Sequence, residues 1–558
     1  MVSEGNTYHK GILLIGTLFF LLFCTKEVGN FYQSGHEGFV NAEVGLSHMN
    51  TINNGFLKTK FGATNYNVIH DRAPRKDEYY TRYPYLHNLL MACLWKLTGP
   101  SEVAARLFMT FLILSTLLIF YTLFKQLGYT KIQSAFMYVT LCSFPIFYHY
   151  SGFSNGEISC LLPLSLSVLF YLKFQKSGKC KHKVFFLISL SITCQLFWIG
   201  YIAALFFFAD ALMAFATRKN KKNLSTALAL VLTCGINIAL FILHTLWLVG
   251  SLKDVVNAFF WRTSLQAPAH QQFTLLEFIN KNLGKWWLFN PIVIFLAILG
   301  TWAVLAPKKS DPSSSIKKRI AFLLLFPPLL FIFLLPHLVY WHDFLVIYFA
   351  FFLALISVDF LFRKTERMPG KKRISTQRAY LLALVVFAVF GLFNHPEEKT
   401  IDRNTDNYEL YYLMKSVRHI TSNQDKFLFS IDRIQEPQVR FYLRRESVFL
   451  KFERHAKAYI ETGAYTHYIV ENKPQFGSLL KYLLQNYRGY KYDRYFLFFL
   501  TRPNPSLRIF RRQKEETGLL FKYFVSPYHQ PGTFREFTSE KTTQNVYSMF
   551  KNVKDLYQ

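Results

Sequence analysis

Long apolar runs separated by short basic clusters constrain this chain more than any other feature. Runs such as ILLIGTLFFLLF (12–23), LFMTFLILSTLLIF (107–120) and LALVLTCGINIALFILHTLWLVG (228–250) are too long and too greasy for the strands or surface helices of a soluble domain. A helix needs about 20 apolar residues to cross the hydrocarbon layer of a bilayer. That length predicts eleven spans, near 11–26, 103–124, 132–149, 158–173, 184–198, 200–217, 225–250, 287–306, 318–336, 343–361 and 379–394. The formal charge of +30 would suggest nucleic acid as a partner in a soluble protein. Here many of the cations fall in clusters between spans, KFQKSGKCKHK, TRKNKKN, PKKSDPSSSIKKR and FRKTERMPGKKRISTQR, so no nucleic-acid partner is implied. Lys and Arg beside a span resist translocation, which places all four clusters in the cytoplasm. An odd number of spans then puts the N-terminus inside and the tail outside. The first run has no small-residue cleavage site after it and is expected to stay as an anchor.

The segment YPYLHNLLMACLWKLTG (83–99) is apolar too, but counting it as a span would turn every basic cluster outward. It is short, amphipathic and rich in Tyr and Trp, so it is expected to lie in the interface. The tail alternates short apolar runs such as KFLFSI, SVFLK and THYIV with helical patterns such as QFGSLLKYLLQNY. Strands and helices of that length suggest a small α/β domain. The expected fold is therefore an α-helical polytopic membrane protein, residues 1–395, with an extracytoplasmic α/β domain at 396–558.

Nearly all the polar residues able to do chemistry fall on the outer side. The first outer loop carries His36, Glu37, Asn41, Glu43, Asp71, Asp77, Glu78, Tyr80, Arg82, Tyr83 and His87. A carboxylate just beyond the first span, Glu37 in SGHEGF, can act as a general base or can cap a helix. In FSNGEISC, Glu157 is either a second acid on the same face or an acid complementing a helix N-terminus. Arg262 in AFFWRTS and Lys285 in GKWWLF are cations beside aromatics, suited to a phosphate at headgroup level or to interfacial anchoring. PHLVYWHDF offers His337, His342 and Asp343, whose spacing matches no established zinc motif and is better read as hydrogen-bonding. The chain has no P-loop, dinucleotide fingerprint, nucleophile elbow or CxxC pair, so no cofactor is implied and a divalent metal has no support.

The stretch YYTRYPYLHNLLMACLWKLTGPSEVAARLFMTFL (79–112) resembles a motif of the C-type glycosyltransferase superfamily. In its lipid-linked-sugar branch, which includes protein O-mannosyltransferases and the lipid A aminoarabinose transferase, a His or Lys precedes Pro-Pro-Leu, an apolar helix and an FG.SE.AAR sequence. Tyr83, Pro84, Tyr85 and Leu86 stand in the first part here, and Gly99, Ser101, Glu102, Ala104, Ala105 and Arg106 in the second. The resemblance implies that Glu37 is the catalytic base and that Glu157 is the acid of the second outer loop. It also implies that Arg82 stands near the donor phosphate. Three positions depart from the pattern: Glu37 where Asp is usual, Tyr85 for the second proline, and Arg82 for His or Lys.

The expected activity is transfer of a sugar, with inversion, from a polyprenyl-phosphate carrier to a lipid, glycan or protein acceptor on the extracytoplasmic face. Glu37 and Glu157 are the expected catalytic carboxylates, and His36, Arg82, Tyr83, His87, Arg262, Lys285 and His342 the expected substrate contacts. A polytopic transporter or flippase for an anionic or lipid-linked substrate is the alternative, with Asp210 as the main polar residue inside a span. The absence of an outward-facing N-x-S/T sequon favours a bacterial inner membrane.

Overall fold

The computed structural model describes residues 4–25, 28, 36–65, 67–219, 221–263, 272–305, 312–393, 408–431, 436–450, 453–492, 494–501 and 507–509. Most of these residues are helical, and the chain separates into two compact units. The first comprises Met1–Val28 and Tyr79–Lys399, the second Gly29–Glu78 and Thr400–Gln558. The second unit thus takes in residues 29–78 together with the tail.

Among the described residues, six helices of the first unit are long and apolar enough to cross a membrane: Glu102–Gln126, Gly156–Ser177, Ile199–Thr217, Lys221–Val249, Asp343–Thr365 and Gly370–Gly391. A seventh is obtained if Leu275–Leu288 and Pro291–Trp302, which meet at 113°, count as one span. Eleven spans were expected, and each of the other four places is also helical. Proline lies in two of them and breaks one. Phe144 is extended ahead of Pro145, which ends Lys131–Cys142 and begins the one-turn helix Pro145–His149, while Pro327 and Pro328 lie inside Pro312–Leu334. Proline removes a backbone donor and disfavours helix in the residue before it. The remaining two, Glu4–Cys24 and Cys180–Leu196, are short in apolar length.

The segment expected at the interface forms the helix Leu86–Thr98, whose 13 residues extend about 20 Å, too short for a bilayer core. The SEVAAR sequence that follows opens the first long span. The Ser101 hydroxyl accepts from the Ala104 amide at 3.3 Å, Glu102 supplies the acid favoured in a first turn, and Arg106 is buried. The aliphatic part of Arg106 packs where a Cβ on Gly152 would stand, so this glycine admits the arginine stem against the backbone.

Three helices of the first unit are joined by one buried ion pair. Asp210 receives Arg319 Nε at 2.7 Å and Arg319 Nη2 at 2.5 Å, and the Tyr171 hydroxyl donates to the same carboxylate. Removing one partner of such a pair leaves a buried charge unpaired, at a cost of about 3–5 kcal/mol. Asp210→Ala is expected to lower the melting temperature in detergent strongly. Replacing Asp210 and Arg319 together with leucine should recover much of that loss, as a thermal melt of the two variants would reveal.

The second unit is built on a six-stranded mixed sheet. Its strands are β1 (Lys426–Ser430), β2 (Glu446–Phe449), β3 (His467–Glu471), β4 (Arg488–Tyr492), β5 (Tyr495–Phe499) and β6 (Leu507–Ile509). Their order is β2-β1-β3-β5-β4-β6. β1 pairs in parallel with both β2 and β3, and the β4–β5 hairpin completes the sheet antiparallel to β3. Alternate residues of β1, β3 and β5, among them Leu428, Tyr468, Val470, Phe496 and Phe498, meet Leu479, Leu480 and Leu483 of the helix Gly477–Asn486 in one apolar core. The helix His36–Asn54 packs on the helix Glu436–Leu443 of the same unit. Asn50 fixes the returning chain by bonding Thr64 Oγ1 at 2.9 Å, the Asn67 carbonyl at 2.7 Å and the Ile69 amide at 3.0 Å. Arg440 then reaches Asn67 Oδ1 at 2.8 Å, and His70 reaches the Arg444 carbonyl at 3.1 Å.

Candidate functional site

In the first unit, Glu157 lies on the one-turn helix Gly156–Ser159, which runs directly into the span beginning at Leu161. Asn155 caps that turn, its Oδ1 accepting from the Ile158 amide at 2.9 Å. A Cβ on Gly156 would overlap the Leu196 carbonyl oxygen, so only glycine allows the turn to sit against the end of Cys180–Leu196. Tyr348 adds a further tie, donating its hydroxyl to the Glu157 carbonyl at 2.7 Å. A carboxylate beginning a span is held here by three other elements.

His87 completes the frame. It is buried, with Nδ1 2.8 Å from Ser159 Oγ and Nε2 3.4 Å from Ser154 Oγ, so its ring bridges the two ends of the Glu157 turn. Burial pulls its pKa down to about 4, which keeps the ring neutral at physiological pH. The unfolded chain, with a value of 6.5, takes up this proton first as the pH falls. Stability contributed above pH 6.5 is therefore lost progressively down to about pH 4. The melting temperature should fall between pH 7 and 5, and His87→Gln should flatten that part of the profile.

Arg262 closes the helix Lys253–Arg262 and is only 6% exposed. Its Nη1 donates to the Arg82 carbonyl at 3.1 Å, and its guanidinium carbon stands 4.3 Å from the centre of the Tyr83 ring. The Tyr83 phenol and the Glu157 carboxyl are close enough to influence each other's ionisation, and Arg262 acts on both charges. Desolvation holds the Tyr83 phenol well above its ordinary value, and the arginine opposes this only in part, so Tyr83 remains a donor. Tyr83 is flanked by Tyr80 at 5.9 Å and Phe197 at 5.7 Å. The Arg82 side chain is exposed, 5.8 Å from the Tyr80 ring. The result is a buried cation, a neutral phenol and a carboxyl in one group, an arrangement able to receive a phosphate or move a proton.

Lys285 and His342 belong to a second cluster of the same unit. The Lys285 ammonium is buried, bonded to the Val339 carbonyl and 3.3 Å from Asp343 Oδ1. The grouping expected within PHLVYWHDF is different in the structure. Asp343 pairs with Lys285, and His337 accepts from Trp341 at 3.0 Å, while His342 lies 5.5 Å from the Phe344 ring. Among the described residues no three His, Cys, Asp or Glu gather as metal ligands would. His36 and Glu37 open the helix His36–Asn54 of the second unit, and their side chains lie outside the described residues.

Tyr348, Ser154 and Ser159 were not legible as site residues. Tyr348 sits in an unbroken apolar run, 191 residues from the carbonyl it holds. The two serines had one usable signal, their placement on either side of NGE.

No protein-family model matches this chain, and no curated protein does. Solved structures do. ArnT from Cupriavidus metallidurans bound to undecaprenyl phosphate superposes with a TM-score of 0.59 at 11% identity, covering 90% of this chain and 98% of that one. ArnT from the same organism in the apo state gives a TM-score of 0.56 at 11% identity, covering 90% of this chain and all of the other. Similarity at this identity is one of fold: the chain shares the fold of ArnT over most of its length.

Proposed function

We propose that this protein is an inverting glycosyltransferase that moves a sugar from a polyprenyl-phosphate carrier to an acceptor on the extracytoplasmic face of a bacterial inner membrane. One observation carries the reading: a fold shared over 90% of the chain with a protein bound to undecaprenyl phosphate, in which this chain buries Arg262 over the Tyr83 ring, with Glu157 within its electrostatic reach. An acceptor hydroxyl or amine attacks the anomeric carbon from the side opposite the phosphate. The bond from that carbon to the phosphate oxygen breaks, its electron pair stays on the phosphate, and the acceptor proton passes to Glu37. Arg262 stabilises the charge growing on the phosphate, with Arg82 nearer the surface. Glu157, with Tyr83 donating beside it, orients the reacting groups. His87 acts as a positioning residue through the turn that it bridges.

The transporter alternative drew on Asp210 as a polar residue in mid-span. That carboxylate is occupied by Arg319 and Tyr171, which supports a structural role. Purified protein supplied with polyprenyl-phosphate pentoses and hexoses of defined anomeric configuration separates the two readings. Cleavage with an inverted product supports the transferase. Intact lipid moved between the leaflets of a vesicle, with no cleavage, would replace it by the transporter.

A further inference from the structure

The loop joining the helices Leu161–Ser177 and Cys180–Leu196 carries charge that the protein does not balance. Five lysines, Lys173, Lys176, Lys179, Lys181 and Lys183, fall between Glu157 and Asp210, and no Asp or Glu does. Among the described residues of the first unit, the carboxylates that form ion pairs are Asp210, Asp343 and Asp359, and their partners are Arg319, Lys285 and Arg363. Two of the five lysines are taken up by neutral acceptors. Lys176 donates to the Gln126 carbonyl, and Lys183 to the carbonyl and the hydroxyl of Ser225 at 3.1 and 2.9 Å. Lys179 and Lys181 are exposed, and the Lys173 ammonium stands 5.3 Å from the centre of the Phe170 ring.

Cations beside a span are common, because they fix its direction in the membrane. Direction alone asks for no particular surface next to them, and here there is one. Lys181, Phe185, Ile188 and Ile192 are spaced i, i+4, i+7 and i+11, which sets them in one stripe along Cys180–Leu196. Phe185 and Ile188 are each 50% exposed, and Ile192 is 38% exposed. Phe170 lies beside Phe185, with ring centres 5.2 Å apart at 28°, so Lys173 comes to the same end of the stripe as Lys181. Ammonium groups at the head of an open apolar stripe match a molecule with an anionic head and hydrocarbon chains: the cations attract the head, and the stripe covers a chain.

We propose that Lys173, Lys179 and Lys181 hold the phosphate of an anionic phospholipid, one of whose acyl chains runs along Phe185, Ile188 and Ile192. A zwitterionic phospholipid binds less well, because its own cation cancels the charge that the lysines attract. The far end of the same helix meets Gly156 at the Leu196 carbonyl, and the 17 residues of the helix extend about 25 Å. The lipid site is thus separate from the group around Glu157 and does not rest on the glycosyltransferase reading.

Binding can be tested without turnover. Full-length protein in detergent is titrated with phosphatidylglycerol and with phosphatidylcholine of the same acyl chains, and bound lipid is counted by native mass spectrometry. Phosphatidylglycerol is expected to bind more tightly, with each lysine contributing about fivefold. Replacing Lys173, Lys179 and Lys181 together with glutamine should therefore weaken phosphatidylglycerol about 10²-fold and leave phosphatidylcholine unchanged, while thermal melts in lipid-free detergent show the variant folded. Ile188→Asn should weaken phosphatidylglycerol about tenfold through the chain. Lys253→Gln, an exposed lysine beyond the opposite end of Lys221–Val249, should change neither lipid. Equal affinity for the two phospholipids, or unchanged affinity in the triple variant, would overturn the proposal. Polyprenyl phosphate that displaces phosphatidylglycerol, and whose own binding is lost in the triple variant, would assign the stripe to a polyprenyl carrier and overturn it too.

Discussion

Arg262→Gln is expected to lower release of free polyprenyl phosphate about 10²–10³-fold, the effect of removing a positioned group that meets charge developing in a transition state. The guanidinium is buried, anchored on the Arg82 carbonyl and held 4.3 Å from the centre of the Tyr83 ring, so it is positioned before any ligand binds. A charge held in that way acts in a low-dielectric setting and needs little reorganisation when the phosphate leaves. Arg262→Lys should not restore the rate, because an ammonium cannot both stack on the ring and donate in a fixed plane. The rate is measured as lipid phosphate released per unit time at saturating donor. A thermal melt on the same samples separates lost chemistry from lost folding. Arg82→Gln is expected to have a smaller effect, since that side chain is exposed and the contact of Arg82 with Arg262 is made through its backbone.

Glu37→Gln is the second large effect expected, a loss of about 10²–10⁴-fold, the range typical of a general base. Glutamine keeps the size and hydrogen-bonding reach of the side chain but cannot accept a proton at neutral pH. Affinity for the sugar-bearing lipid should therefore be nearly unchanged while kcat falls. Glu157→Gln serves as the comparison. With Tyr83 and Arg262 beside it, Glu157 is expected to affect both donor binding and rate, so the two carboxylates should separate in their KM and kcat values.

Much of the fold was visible in the sequence because its causes are local. Apolar runs of bilayer length gave helices. The alternation in KFLFSI and THYIV appeared as β1 and β3. What stayed hidden depends on partners distant in the chain. Nothing around Asn67 or His70 signals that they will bond Arg440 and Arg444, 373 and 374 residues away, and so draw residues 29–78 into the unit of the tail. β4 is RGYKY, a sequence with two cations and a glycine, and it becomes a strand through its ladder with β5, where Gly489 accommodates the Phe498 ring.

The candidate site divides in the same way. Glu157 stood out as an acid at the start of a span and Arg262 as a cation beside aromatics, and their neighbourhood through Tyr83 is a finding of the structure. His87 looked like a substrate contact because a histidine in an outer loop resembles a ligand. The helix Leu86–Thr98 turns it inward, onto two serines. Lys285 resembled an interfacial cation in the same way, but it is neutralised by Asp343, 58 residues on.

Cleavage of polyprenyl-phosphate sugar that depends on Arg262 and on Glu37 is followed by quantifying free polyprenyl phosphate released by the full-length protein, by each single variant, Arg262→Gln and Glu37→Gln, and by the two combined. Steady release by the unaltered chain is expected, with a loss of at least about 10²-fold in each single variant and no measurable release from the double variant. Release at the same rate by all four proteins would rule out the proposed chemistry.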